Sequence, residues 1–201
     1  MSKALGLTII LVSGWLCVAV PAQEKSAAKK KSAPADAAMA MPKPAPEMKE
    51  LRALIGAWTT DEAYEASAMG PAGAGAGTNA VRSGPGGFSV LLEQRSKGSM
   101  GPFSGHGVYA WDPDQKAFKV AWVDSMAPGL TTQTGHKEGD TLVFTGESAM
   151  AGKKVKIRDV WSDFTPTSHT LTSYSDDGSG EKKMMTVKFT KQEPPPPPAK
   201  K

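Results

Sequence analysis

Apolar side chains recur on every second position in one short segment of this chain after another. In AFKVAWVD, Phe118, Val120 and Trp122 share a face while Lys119 points the other way. In TLVFTGE, Leu142 and Phe144 share a face. In KMMTVKFT, Met185, Val187 and Phe189 oppose Thr186 and Lys188. The strings between such segments (PGG, WDPDQK, KEGD, SDDGSG) are rich in Gly, Pro and Asp, the residues of tight turns. About ten short strands follow one another at a spacing of roughly 8–15 residues with no helical interlude, a pattern that fits an up-and-down antiparallel barrel or a sandwich. The expected class is all-β, and a closed barrel would remove its own sheet edges. A helix is expected only at the start, in PEMKELRALIG. There Met48, Leu51, Leu54 and Ile55 have helical spacing and Gly56 is the stop.

GVYAWDPDQKAFKVAWVDSM reads as one hairpin of that sheet. Asp112-Pro113-Asp114-Gln115 has the chemistry of a type I turn, with Asp first and Pro second. Tyr109 and Trp111 before it can meet Phe118 and Trp122 after it, each aromatic pair adding about 0.5–1 kcal/mol beyond burial.

The two ends of the chain differ in kind from its middle. Lys3 followed by the apolar residues 4–20 and then Val20-Pro21-Ala22 reads as a cleaved export signal over residues 1–22. The alternative, a single-span anchor, has a run slightly short of the ~20 residues a bilayer needs. Residues 23–47, rich in Ala, Lys and Pro, are expected to be a disordered linker, and residues 192–201 a disordered Pro-rich tail. That tail is read as a solubilising end, with a ligand for a proline-recognition groove or a wall spacer as the alternatives. Cys17 is the only cysteine, so a chain cleaved after residue 22 has no disulfide and no thiolate site. Export without disulfides fits a bacterial periplasm or exterior. The formal net charge is +4, yet residues 48–190 hold 15 Lys and Arg against 16 Asp and Glu. The folded part is therefore near neutral and offers no basic face for nucleic acid.

Four groups of residues look familiar together. Leu51-x-x-Leu54-x-Gly56-x-Trp58, Gly107-x-Tyr109-x-x-Asp112, Trp122-Val123-Asp124-Ser125, and Asp177-Gly178 with Lys183-Met184-Met185 resemble domain-of-unknown-function family 1579, a group of bacterial exported proteins. The resemblance runs from about Met48 to Lys191. A helix followed by Gly-x-Trp on the first strand is also similar to the calycin barrels: lipocalins, fatty-acid-binding proteins and nitrobindin-like proteins. The resemblance implies a meander barrel able to enclose a cavity. It implies no activity, because the family carries none.

Catalytic constellations are thin. Ser125, Asp124, His106, His136 and His169 supply the residue types for nucleophilic hydrolysis, but no serine sits in a nucleophile elbow. The three histidines form no paired motif, so no metal site is expected. The nitrobindin-like resemblance implies that a haem site would need an inward histidine; His169 is the best placed, and the plainer reading is a partly exposed strand histidine. No cofactor is expected. Residues 70–78, GPAGAGAGT, lack the Lys-Ser/Thr ending of a phosphate loop and read as a flexible connection between the first two strands. Trp58, Trp111, Trp122 and Trp161 either fill the core or line a cavity.

The expectation is an exported, calycin-like barrel over residues 48–191 that acts without catalysis. Its candidate ligand is small and hydrophobic or amphipathic, and no stable membrane insertion is expected after signal cleavage. Phe88, Tyr109, Trp122, Phe144 and Trp161 are the candidate lining, with Asp124 and Arg158 as candidate polar contacts. Asp124 is alternatively a turn cap, or half of an ion pair with Arg158 or Arg95. The competing functional expectation is a structural or interaction protein of the cell envelope that works through its surface and tails.

Overall fold

A computed structural model describes residues 41–67, 70–150 and 152–193. The export signal, most of the linker and most of the Pro-rich tail lie outside the described residues.

A five-residue helix, α1 (Met48–Arg52), precedes ten strands: β1 (Gly56–Tyr64), β2 (Gly73–Ser83), β3 (Ser89–Gly98), β4 (Gly101–Asp112), β5 (Ala117–Asp124), β6 (Thr131–Glu138), β7 (Thr141–Met150), β8 (Lys153–Ser162), β9 (Ser168–Asp176) and β10 (Lys182–Lys191). Each strand pairs antiparallel with the next, and β10 pairs back onto β1, from Trp58 against Lys191 to Tyr64 against Met185. The result is a closed up-and-down barrel, so every strand has two neighbours and no ladder is left open to another chain. Alternation along each strand then decides what is inside. Trp58, Thr60 and Glu62 of β1 are buried, for example, while Thr59, Asp61 and Ala63 face out.

One end of the barrel is plugged. Leu51 and Leu54 are 0 % exposed and join Met48, Trp58, Phe118, Leu142, Trp161 and Phe189 in one apolar cluster. After α1 the chain tightens into i→i−3 turns at Ala53, Leu54 and Ile55. The Trp58 indole N–H donates to the Leu54 carbonyl at 2.9 Å, which fixes the plug to the first strand. On the far side Arg52 donates to the Gly87 carbonyl, tying α1 to the β2–β3 connection. The Leu-x-x-Leu-x-Gly-x-Trp pattern thus describes a stopper and the strand it is hung from.

The hairpin of β4 and β5 forms as its turn chemistry predicts. The Asp112 carboxylate accepts the backbone N–H groups of Asp114 and Gln115 at 3.0 and 3.1 Å. Trp111 lies directly opposite Phe118 in the ladder, their ring centroids 5.0 Å apart edge to face.

The glycine-rich run is not a connection. Gly73 to Thr78 form the first half of β2, paired along both edges with β1 and β3. Its glycines take the inward positions, where a Cβ on Gly75 would come to 3.0 Å from both the Glu62 carboxylate and the Tyr64 hydroxyl. Absence of a side chain here makes room for those of the neighbouring strand. The ladder hydrogen bonds supply the order that composition alone does not.

Candidate ligand-binding cavity

The strands alternate in direction, so the C-terminal ends of β1, β3, β5, β7 and β9 gather at the end opposite α1. The barrel is hollow beneath them, with a cavity of about 260 Å³. Its apolar wall includes Leu92, Tyr109, Trp122, Ile157, Trp161, Leu171 and Val187, and Met100, Met126, Met150, Met184 and Met185 stand around it. Methionine is the most adaptable of apolar side chains, suited to a mouth that must fit what enters.

Trp122 is held as part of the wall by what stands opposite it. Its register partner is Gly107, and Gly105 faces Asp124. A Cβ at Gly105 would lie 2.3 Å from the Trp122 ring, and one at Gly107 2.9 Å from it. The indole therefore lies flat over two glycines, and its N–H donates to Asp124 Oδ2 at 2.8 Å. Asp124 Oδ1 accepts the backbone N–H groups of Met126 and Ala127 at 2.7 and 3.0 Å. One carboxylate caps the turn after β5, orients the indole and borders the cavity. Neither arginine considered for it takes part: Arg95 pairs with Glu93 on the outer surface, and Arg158 pairs with Glu181 at 2.5 Å.

A polar belt crosses the interior between the plug and the mouth. Glu62 accepts from Gln94 at 2.9 Å, from Thr60 at 3.3 Å and from the Tyr64 hydroxyl. Gln94 Oε1 in turn accepts from Asn79 at 2.8 Å. Along the wall, Asp159 accepts from Gln133 at 2.7 Å and from Ser173 at 2.5 Å. Burial pushes the Asp159 carboxyl above its ordinary value, against the pull of those two hydrogen bonds. Burial also raises the Tyr109 hydroxyl far above its normal range, with a contribution from Asp159.

Tyr109, Trp122, Asp124 and Trp161 come together on this cavity. The other three candidates do not reach it. Phe144 is fully buried behind Tyr109, its ring over Gly135 and 5.6 Å edge to face from Tyr109. Phe88 lies at the plugged end, after the 85–87 turn and before β3 begins, and is 41 % exposed. Arg158 projects from the outer face of β8, stacked over Tyr174 at 4.1 Å. Glu62, Asn79, Gln94, Gln133 and Asp159 were absent from the sequence reading. The signal for them was strand parity: Glu62 shares a face with Trp58, and Asp159 with Trp161, which leaves Arg158 outside.

Residues of the hydrolytic types are dispersed. Ser125 binds Ser104 through both its backbone N–H and its hydroxyl, while His106 and His136 are exposed. His169 is 2 % exposed, not a partly exposed strand histidine. It sits in the plug among Trp58, Trp161, Phe164 and Phe189, with centroids 4.4 to 5.9 Å away, and both ring nitrogens lack a hydrogen-bond partner. Burial lowers its pKa to about 4, so it is neutral at physiological pH. Among the described residues no group of three or more His, Cys, Asp or Glu is placed to hold a metal ion.

A closed meander barrel, stoppered at one end and hollow at the other, is a calycin-like barrel. The chain belongs to the family described as "Protein of unknown function (DUF1579)", whose profile matches residues 43–191. Among solved structures it is similar to Rv2717c from M. tuberculosis, with a TM-score of 0.56 at 12 % identity, covering 75 % of this chain and all of that one (100 %). Weaker likenesses are the S-type phycobiliprotein lyase CPES from Guillardia theta (TM-score 0.47, 11 % identity, 73 % of this chain and 92 % of that one) and EF1p2_mFAP2b bound to DFHBI (TM-score 0.42, 13 % identity, 72 % and 98 %). No curated protein matches the sequence.

Proposed function

We propose that this chain is an exported, non-catalytic binding barrel that carries a small apolar or amphipathic molecule in its open-ended cavity. The observation that carries this reading is the cavity itself, about 260 Å³ with a mainly apolar wall, in a barrel whose other end is stoppered by α1. An apolar molecule entering it leaves water, at roughly 25 cal/mol per Å² of apolar surface removed. The wall is built before the ligand arrives, since Trp122 is fixed by Asp124 and by the two glycines beneath it, so little ordering cost opposes binding. The signal-like residues 1–22 support a location in the periplasm or outside the cell.

Titration with the neutral, environment-sensitive dye prodan tests the reading. Saturable fluorescence is expected from the intact protein and should vanish in Ile157→Trp, which fills the cavity, while the variant still melts cooperatively. Native mass spectrometry of protein exported through its own leader should show an added small mass. Repeatedly empty spectra together with no dye binding would overturn the carrier reading in favour of a role for the outer surface and tails.

A further inference from the structure

Among the described residues the cavity is bordered by charge of one sign: Glu62, Glu65, Asp124 and Asp159, and no lysine, arginine or histidine. Two of these acids have other duties: Glu65 pairs with Lys183 at 2.9 Å, and Asp124 caps its turn and orients Trp122. Glu62 and Asp159 remain, three strands apart in the order β1-β10-β9-β8. Among the described residues each accepts hydrogen bonds only from neutral side chains, Thr60, Tyr64 and Gln94 on one, Gln133 and Ser173 on the other. Arg158, next to Asp159 in sequence, is turned outward onto Glu181. Arg158 still acts on Asp159 through space, but burial outweighs it. Carboxylates with so little counter-charge are costly, and a cation arriving between them would offset that cost.

A second feature points the same way. Asn79 is 2 % exposed and lies on the cavity wall, and its Oδ1 has no hydrogen-bond partner. Buried acceptors are almost always paired, so this enclosed oxygen lacks a donor, and one entering from the cavity would reach it once the Asn79 side chain turns. Asn79 and Glu62 are joined through Gln94, which places the unpaired acceptor and a carboxylate on one side of the cavity.

We propose that the molecule this cavity takes is a hydrophobic amine: an ammonium group that donates to Asn79 Oδ1 and the Glu62 carboxylate, with a hydrocarbon body against Trp122, Tyr109 and Ile157. The proposal rests on the binding reading above and specifies its ligand. Asp159 adds a second negative charge to the field an ammonium meets. A fatty acid of the same length would bring a further carboxylate into that field and is rejected.

Calorimetric titration with decylamine, decanol and decanoate at neutral pH separates the possibilities. Decylamine should bind roughly tenfold or more tightly than decanol, the scale of a charge-assisted hydrogen bond, and decanoate should not bind detectably. In Glu62→Gln the ratio of amine to alcohol affinity should fall to about threefold or less. If that variant does not fold, Asn79→Leu, which removes the unpaired acceptor, should reduce the same ratio. Equal binding of decanol and decylamine, binding of decanoate, or a ratio unmoved by either substitution would overturn the amine proposal while leaving a carrier intact. Failure of all three molecules to bind would overturn the amine proposal too, and, together with empty mass spectra and no prodan binding, the carrier reading.

Discussion

Trp122 lies against two residues that have no side chain to displace it, and much of the cavity's shape follows. Gly107→Val would drive a side chain into the indole and Tyr109. The expected cost is about 1–3 kcal/mol of stability, the usual range for overpacking, with loss of prodan binding. Urea titration and the tryptophan emission maximum check this. Asp124→Ala leaves two backbone N–H groups and the indole N–H without their acceptor, and a loss of about 1–2 kcal/mol should appear in the same titration. His169 makes stability depend on pH. Between its ordinary value of 6.5 and about 4 the unfolded chain takes up a proton that the folded plug refuses. Its contribution is therefore full above 6.5 and is lost as pH falls through that window, by about 3 kcal/mol at the lower limit. Asp159 acts in the opposite sense. Its raised pKa gives a contribution present below the ordinary carboxyl value and lost as pH rises. His169→Phe isolates the histidine: its urea midpoint should fall less on acidification than that of the natural protein, and an identical fall would refute the assignment.

At the scale of elements, the stopper and the glycine strand set the two ends of the hollow. Leu51 is completely buried between α1 and the barrel, so Leu51→Ala should cost about 2–5 kcal/mol, read from the urea midpoint. Parity made the ten strands legible in the sequence. Phe118, Val120 and Trp122, or Met185, Val187 and Phe189, can alternate in that way only if one face is covered. β2 was legible over residues 75–83, but its glycine-rich start also read as a flexible connection, because glycine gives no parity signal and has a low intrinsic strand preference. Its order comes from pairing with β1 and β3, partners that sit on either side of it only once the barrel has formed.

For the whole molecule, the cavity reading separates the barrel from its ends. Removing residues 194–201 should leave prodan affinity within about twofold, a change too small to reflect a lost contact. A large loss would favour a function carried by the tail. The calycin resemblance implied the meander and a cavity, which Tyr109, Trp122, Asp124 and Trp161 of the candidate lining border. Chain order and alternation alone gave an all-β barrel or sandwich, a helix at its start, turns such as that at Asp112 and the shared parity of Trp122 and Asp124. These are local properties, fixed by the period of the side chains and by turn chemistry. Tertiary structure alone decided that β1 meets β10, that α1 enters one end rather than lying outside, and that Phe88 and Arg158 stay outside while Phe144 is sealed behind Tyr109. It also decided that Glu62, Asn79 and Asp159 share one interior that no basic residue among those described borders. Those facts depend on the register at which distant strands close, and closure is a property of all ten strands at once.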